Sequence, residues 1–286
     1  MIYLMFLPIL LILGFIVAIH LGFRAPRLSN DALPIDYALD AQTYTFTGQQ
    51  GSQLSIWWIN ALQPCATTVV ILHGWGANKS FMLPLAKPFH KAGYNLLLID
   101  AHNHGDSEKR GVSTMPKFAE DLESALHWVN QNKPKSGQQT IVVGHSVGAA
   151  AVLLAAANGL KATVFISLAS FVHPELIMQR TLKKLKPVPG LIPLISNYVQ
   201  WAIGYKFDVI APITSIKKIA QPILLVHGTE DSVIPLSDFH LLCNATQKEN
   251  IKCLEIPEAG HDSIDKIEAH FNELHDFIKK HLNFSR

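Results

Sequence analysis

The stretch Gly144-His145-Ser146-Val147-Gly148 decides the fold of this 286-residue chain. It follows an apolar, β-prone run at 140–143 and precedes a run of small helix formers at 149–157. This pattern predicts a strand, a tight turn and a helix, with one serine at the turn. Small residues must flank such a turn because the strand and the helix approach closely and the serine adopts strained backbone angles. The serine hydroxyl is then exposed at the carboxyl edge of a sheet, beside a helix N-terminus that favours an anion.

Strand and helix patterns alternate on both sides of this turn. Apolar runs predict strands at 69–72, 94–99, 140–143, 163–166, 223–226 and 251–256, and two earlier β-type runs, 44–46 and 54–59, predict an antiparallel hairpin. Helical patterns are present at 81–91, 118–132, 149–157 and 264–282. Continuous apolar strands separated by helices are typical of an α/β fold, in which helices cover both faces of a parallel sheet.

One region interrupts the alternation. Two helical patterns, 174–186 and 194–203, lie between the strands at 163–166 and 223–226, with Pro and Gly residues between them. We therefore predict a small helical insertion at 172–214 that caps the edge of the sheet.

Net charge and cysteine content each give an expectation about this chain. The formal net charge is +2, which gives no indication of a nucleic-acid partner. The three cysteines, Cys65, Cys243 and Cys253, are odd in number and lie in no metal-type spacing. We therefore expect reduced thiols rather than a disulfide framework.

The N-terminus predicts a membrane anchor at 1–23, followed by a linker at 24–42 and an α/β domain at 43–286. Residues 2–23 are almost wholly apolar and uncharged, and about 20 such residues cross a bilayer as a helix. No basic residue precedes this run and its end is a poor cleavage site, so a retained single-pass anchor is favoured over a signal peptide. Arg24 and Arg27 follow the run, which by the positive-inside tendency places the domain in the cytoplasm.

The loops after two later strands supply partners for the serine. A serine hydroxyl becomes a good nucleophile when a base takes its proton, and the base needs an acid to orient it. Asp231 follows the strand at 223–226, and His261 follows the strand at 251–256. Because the carboxyl ends of parallel strands meet at one edge of a sheet, we expect Ser146, Asp231 and His261 to lie together. Glu230, beside Asp231, is an alternative acid.

A further loop, His73-Gly74-Trp75-Gly76, follows the strand at 69–72. The backbone N–H groups of Trp75 and Val147 are the predicted donors to an oxyanion. The pattern His102-x-His104-x-Asp106 is compatible with zinc, but Ser107 stands where the zinc motif needs another histidine. We therefore expect no metal site.

With these pieces in order from about residue 44 to the C-terminus, the chain resembles the α/β-hydrolases of the serine esterase, lipase and thioesterase kind. The resemblance is carried by 73–76, 100–107, the turn at Ser146, 227–231 and 260–261. It implies the α/β-hydrolase fold, an eight-stranded, mostly parallel sheet with helices on both faces, and a triad of Ser146, His261 and Asp231. The short cap and the apolar N-terminus resemble small membrane-tethered members. Relatives usually carry an arginine at or near 101–103, where this chain has none.

The expected function is that of a serine hydrolase. It would cleave carboxylic ester or thioester bonds in a small acyl ester or lipid-like substrate, through an acyl-enzyme and with no metal or organic cofactor. The alternatives are a serine peptidase or amidase with the same triad, and a non-catalytic binding protein on a hydrolase fold. A basic cluster in the cap is either a solvated helix face or a contact with anionic lipid; its members are Arg180, Lys183, Lys184 and Lys186.

Overall fold

A single sheet organises the protein in the computed structural model, which describes residues 13–183, 190–245 and 248–282. Its eight strands lie in the order β1-β2-β4-β3-β5-β6-β7-β8. Their bounds are β1 Ala41–Thr47, β2 Gln53–Ile59, β3 Thr67–Leu72, β4 Asn95–Ile99, β5 Gln139–His145, β6 Val164–Leu168, β7 Ile223–Gly228 and β8 Ile251–Ile256. The first two strands form an antiparallel hairpin, β2 pairs antiparallel with β4, and the remaining strand pairs are parallel. The predicted eight-stranded, mostly parallel α/β fold is confirmed.

Helices fill the connections between the strands. Residues 13–22 form helix α1. The others are α2 Leu83–Lys91, α3 Met115–Asn132, α4 Val147–Ala157, α5 Pro174–Lys183, α6 Leu191–Ile203, α7 Phe207–Ile210, α8 Pro212–Ser215, α9 Leu236–Cys243, α10 Ile264–Ala269 and α11 Phe271–His281, with 3-10 helices at Pro34–Tyr37 and Lys79–Met82. The closing helix predicted at 264–282 is divided in two at His270, whose backbone angles (φ −98°, ψ 21°) leave the helical region.

Apolar layers cover both faces of the sheet. In β3 every residue is buried, and alternate side chains enter opposite layers: Val70 and Leu72 one, Val69 and Ile71 the other. This period-two alternation with both faces buried explains why the strand sequences are continuous apolar runs.

Four helices, α5 to α8, lie between β6 and β7, where the helical insertion was predicted. Arg180 of α5 binds Asp238 of α9 through two nitrogen–oxygen contacts of 2.8 and 2.6 Å. Asp238 is buried and also accepts the Val172 N–H at 3.1 Å. Arg180 is therefore paired with the body of the protein, and Lys184 and Lys186 of the same basic cluster lie outside the described residues.

The predicted N-terminal anchor falls partly outside the structure. Residues 1–12 are not among those described, whereas 13–22 are helical and Ile19 is buried in the apolar layer that includes cap residues. Across the described ranges no helix has both the length and the apolar character needed to cross a bilayer.

The expectation of three reduced thiols is wrong. Cys243 and Cys253 form a disulfide, and Cys65 is free. Cys243 ends α9 and Cys253 lies in β8, and packing of this helix beside the edge strand brings their Cα atoms to 6.2 Å. This proximity comes from tertiary packing, which the cysteine spacing did not indicate.

Candidate active site

Ser146 stands at the sharp turn predicted between β5 and α4. Its backbone angles (φ 55°, ψ −119°) are strained for a residue other than glycine. Both flanking glycines are required by close approach: a Cβ on Gly144 would lie 2.4 Å from the Gly148 oxygen, and one on Gly148 would lie 2.3 Å from the His73 oxygen. The turn is therefore possible only with these small residues on either side of the serine.

The structure brings together the three side chains predicted from separate loops. The His261 Nε2 atom lies 2.9 Å from Ser146 Oγ, and His261 Nδ1 lies 2.7 Å from Asp231 Oδ2. Each residue follows or ends a strand of the parallel part of the sheet, β5, β7 or β8, so all three reach the same edge. The arrangement is able to pass a proton from the hydroxyl to an imidazole that a carboxylate orients.

The environment of Asp231 keeps its carboxylate charged and fixed. Burial acts to raise the pKa of Asp231, but hydrogen bonds from His261 and from backbone N–H groups bring it below its ordinary value. The backbone donors are Val233 and Ile234, each with nitrogen 2.8 Å from Oδ1. Glu230, the alternative acid, is exposed.

His145 contributes a contact that sequence reasoning did not identify. Its Nε2 atom donates to the backbone oxygen of His261 at 2.8 Å. Burial, followed by the neighbouring His261, lowers the pKa of His145 to about 4, so the ring is neutral near pH 7. Nothing in its local sequence pattern indicates a partner 116 positions away.

The loop that carries Trp75 lies directly against Ser146. A Cβ on Gly74, the residue before Trp75, would be 3.1 Å from the Ser146 Cβ. The Trp75 side chain is 39% exposed and stacks on Phe118 with ring centroids 6.3 Å apart. Val147, the other predicted donor, is the first residue of α4. Both predicted donors thus belong to segments that adjoin Ser146; their role as donors stays a prediction.

Two buried contacts connect this loop to the loop after β4. His73 Nε2 accepts the Ala101 N–H at 3.0 Å, and its Nδ1 donates to the Gly74 oxygen at 2.7 Å. Burial, then the neighbouring His104, lowers the pKa of His73 well below its usual value, so it acts as a neutral bridge.

The second contact is an ion cluster around Lys79. Its ammonium group binds Asp100, Asp106 at 2.7 Å and the Ser55 hydroxyl at 3.1 Å, and the Lys79 side chain is fully buried. Burial raises the pKa of Asp100, while the Lys79 charge and its hydrogen bonds oppose the rise. The sequence showed these residues only as part of a loop.

The zinc-like pattern of the sequence consists of His102, His104 and Asp106. His102 Nδ1 contacts Asp121 at 2.7 Å, His104 Nδ1 donates to the His102 oxygen, and Asp106 binds Lys79, so the three residues of the pattern have separate partners. In the described part of the chain, one group of possible ligands lies within 4.8 Å: His145, His261 and Asp262. Both ring nitrogens of His261 and Nε2 of His145 already make hydrogen bonds, so this group is not preorganised for an ion.

The chain is similar in sequence to several known proteins. The family described as "Serine aminopeptidase, S33" matches residues 63–203. The uncharacterized protein YfhR of Salmonella typhimurium is 25% identical over 240 residues, which cover 82% of this chain and 79% of that protein. YqkD of Bacillus subtilis, also uncharacterized, is 27% identical over 197 residues, 68% of this chain and 64% of its own length.

Solved structures share the fold. The Pyrococcus furiosus esterase Pf2001 superposes with a TM-score of 0.75 at 20% identity, covering 91% of this chain and 100% of that one. An acylaminoacyl peptidase from Pyrococcus horikoshii gives a TM-score of 0.66 at 16% identity, covering 87% of this chain and 42% of that one. The sheet order and the likeness to these structures together show that this chain has the α/β-hydrolase fold.

Proposed function

We propose that the protein is a serine hydrolase that cleaves carboxylic ester or thioester bonds through an acyl-enzyme intermediate. The observation that carries the proposal is the continuous chain of contacts from Ser146 Oγ to His261 Nε2 (2.9 Å) and from His261 Nδ1 to Asp231 Oδ2 (2.7 Å). In the first step His261 takes the serine proton while Ser146 Oγ attacks the acyl carbonyl carbon. His261 then returns the proton to the departing alcohol or thiol, which leaves the acyl group on Ser146.

Water completes the cycle by the same route. His261 removes a proton from water, the resulting hydroxide attacks the acyl carbon, and the proton passes to Ser146 Oγ as the acid leaves. Asp231 stays charged throughout and stabilises the imidazolium of His261. The N–H groups of Trp75 and Val147 donate to the oxyanion in both tetrahedral intermediates, where preorganised donors have their largest effect.

The cap helices support an acyl group of apolar character. Met178 and Leu182 of α5 and Ile195 of α6 are buried in the same apolar layer as Val147, which adjoins the nucleophile. The apolar side chains of the cap helices agree with a small acyl ester or lipid-like substrate.

The decisive experiment measures hydrolysis of nitrophenyl esters of increasing acyl length and labelling by a fluorophosphonate. We expect turnover and labelling of the wild-type protein, and loss of both in Ser146→Ala. Folded wild-type protein that neither turns over the esters nor reacts with the probe would instead favour a binding protein on a hydrolase fold.

A second candidate is a peptidase or amidase with the same residues. The family description names serine aminopeptidases, and a triad of this kind is able to cleave amides. A pair of substrates with one acyl group, a nitrophenyl ester and a nitroanilide, distinguishes the two functions. Because the nitrophenyl ester is intrinsically the more reactive substrate, hydrolysis of the anilide decides between them. Turnover of the ester without measurable turnover of the anilide supports the first proposal, and turnover of the anilide that Ser146→Ala loses supports the second.

Attachment to a membrane through the N-terminal segment, with the domain on the cytoplasmic side, remains a proposal that rests on sequence. Residues 2–23 carry no Asp, Glu, Lys or Arg, and Arg24 and Arg27 follow them. Fractionation of cells expressing the full chain, with and without carbonate extraction, tests the attachment. Recovery of the full chain in the soluble fraction would exclude it.

A further inference from the structure

The segment after helix α1 lies across the loop that carries Trp75 and the loop after β4. We call residues 26–30 (Pro26-Arg27-Leu28-Ser29-Asn30) the strap. Its Pro26 ring packs on Gly76, where a Cβ would come within 2.7 Å of Pro26 Cγ. Arg27 Nε donates to the Gly105 oxygen at 2.8 Å, and Asn30 Nδ2 donates to Asp106 Oδ2 at 2.7 Å. The strap therefore contacts both the loop that carries Trp75 and the loop after β4.

Asn78 connects the strap to the loop that carries Trp75. Its side chain is buried, and its Nδ2 donates to the Ser29 oxygen at 2.7 Å and to the Leu28 oxygen at 3.3 Å. Its Oδ1 faces the other way and accepts the N–H groups of Ser80 and Phe81, which caps the 3-10 helix Lys79–Met82. One amide thus stabilises two segments with two different atoms.

The position of this loop matters to the proposed chemistry. Gly76 adopts φ +73°, and Gly74 lies against Ser146, so Trp75 stands between two tightly constrained backbone positions. A donor to an oxyanion acts through its direction and distance, and its loss typically costs a factor of about 10² to 10³ in kcat. Contacts that keep this loop in place therefore act on the transition state without touching the substrate.

We propose that the strap, through the Asn78 amide, is a positioning element for the oxyanion donor Trp75. This inference rests on the proposed function for its catalytic part, and on the contacts above for its structural part. Because the strap follows α1 directly, the same contacts connect the N-terminal helix to the reacting site. His20 of α1 also contacts the cap, with Nε2 3.0 Å from the Tyr198 hydroxyl oxygen.

The test uses an isosteric change that separates the two roles of Asn78. In the full-length Asn78→Asp variant the acceptor that caps the 3-10 helix is kept, whereas the N–H donors are lost and a carboxylate oxygen faces two carbonyl oxygens. A matched control is Asn95→Asp at the amino end of β4, the edge of the sheet opposite Ser146. Asn95 is also buried, its Nδ2 donates to the Cys65 and Thr67 oxygens at 2.9 and 3.1 Å, and its Oδ1 accepts the Ala61 N–H. Arg27→Gln removes the strap contact to Gly105 independently.

Two measurements are made on each variant. The first is ester hydrolysis per titrated active site. We expect Asn78→Asp to lower kcat about tenfold or more with KM within about twofold, because a displaced Trp75 N–H stabilises the oxyanion of the transition state less. Arg27→Gln changes kcat in the same direction by less, and Asn95→Asp leaves it unchanged. For amide hydrogen exchange, we expect faster exchange in the peptide covering 73–78 in Asn78→Asp alone.

The outcomes separate the strap from the proposed function. Unchanged kcat per active site in Asn78→Asp, with an active wild-type enzyme, overturns the positioning role while the hydrolase function stands. An equal loss of kcat in Asn95→Asp also overturns it, because the effect would then follow from any buried Asn→Asp change. If the wild-type protein is inactive, the proposed function fails, and the exchange of 73–78 alone decides whether the strap fixes this loop.

Discussion

Asp231 and Glu230 are neighbours with the same functional group, yet only Asp231 contacts His261. Asp231 is buried and receives two backbone hydrogen bonds, whereas Glu230 is exposed. At the scale of single residues the site is therefore defined by burial and orientation more than by residue type.

This difference predicts the effect of removing each charge. We expect Asp231→Asn to lower kcat for an ester by about 10³ to 10⁴-fold, because the amide no longer fixes the productive tautomer of His261. Glu230→Gln should stay within about twofold of the wild-type protein. Steady-state rates of both variants check this, and equal losses would show that the acid has been misassigned.

His145 offers a second prediction at this scale. Its neutral ring donates to the His261 carbonyl oxygen, so it orients the backbone of the proposed base. A glutamine reaches a similar position with its amide N–H, whereas phenylalanine has no donor. We expect kcat of His145→Gln within about threefold of wild type and that of His145→Phe lowered about tenfold, with little change in KM. Equal kcat values in both variants would contradict a role for the hydrogen bond.

At the scale of elements, two long-range contacts fix α9 to its surroundings. The Arg180–Asp238 ion pair connects it to the cap, and the disulfide connects its last residue to β8. Because α9 follows the Asp231 loop and β8 precedes the His261 loop, both contacts bear on segments next to the site.

The disulfide should stabilise the fold without changing the chemistry. It closes a loop between positions separated by 10 in the chain, for which chain-entropy reasoning gives about 3 kcal/mol. We expect the Cys243→Ser, Cys253→Ser double variant to lose about that much free energy of unfolding in urea, with kcat retained. Dithiothreitol should bring the wild-type protein to the same midpoint and leave the double variant unaffected. A reductant-insensitive wild-type midpoint would contradict the bond.

The ion pair of the cap predicts a local effect. Arg180→Gln leaves the Asp238 carboxylate, 1% exposed, without its cation, at a cost of about 1–3 kcal/mol. We expect the cap to open more often, so that chymotrypsin cleaves near the exposed residues Trp201 and Tyr205 roughly tenfold faster. Lys183→Gln, a change at an exposed neighbour on the same helix, serves as the control and should cleave at the wild-type rate.

For the whole molecule, buried histidines set the response to acid. Burial lowers the pKa of His73, His104, His145 and His227 in the folded protein. The unfolded chain binds protons at these positions below about pH 6.5, whereas the folded protein stays neutral there down to about pH 4 in the case of His145. The stability is therefore fully present above pH 6.5 and falls as the pH decreases through this window.

Urea unfolding at pH 7 and pH 5 measures this effect. Each proton taken up on unfolding contributes about 1.4 kcal/mol per pH unit, so we expect a marked loss of stability at pH 5. His145→Gln removes one of the groups that take up a proton on unfolding. The unfolding free energy should therefore change less steeply with pH, by about 1.4 kcal/mol per pH unit. Equal stability of the wild-type protein at the two pH values would contradict the burial of these rings as neutral groups.

The sequence predicted what local patterns encode. Apolar runs such as 69–72 indicated buried strands, and the glycines around Ser146 indicated a sharp turn, because close approach leaves no alternative there. The convergence of Asp231 and His261 on Ser146 followed from the rule that parallel strands end at one edge.

Contacts between distant segments were not predictable in the same way. The bond from Asn78 to the strap, the hydrogen bond from His145 to His261 and the Cys243–Cys253 pair all depend on how loops and helices pack. No periodicity or spacing marks such partners. The break at His270 was missed because its apolar pattern continues through both helices.

The order of the strands has a consequence for biosynthesis. Ser146 precedes His261 by 115 positions, and the loop of His261 follows β8, the strand at the margin of the sheet. During translation the ribosome thus synthesises the segment that contains the Ser146 hydroxyl before the segment that contains the His261 imidazole. With the proposed mechanism, a nascent chain carries an unactivated hydroxyl until its final strand docks, and a prematurely terminated product remains inert toward cellular acyl donors.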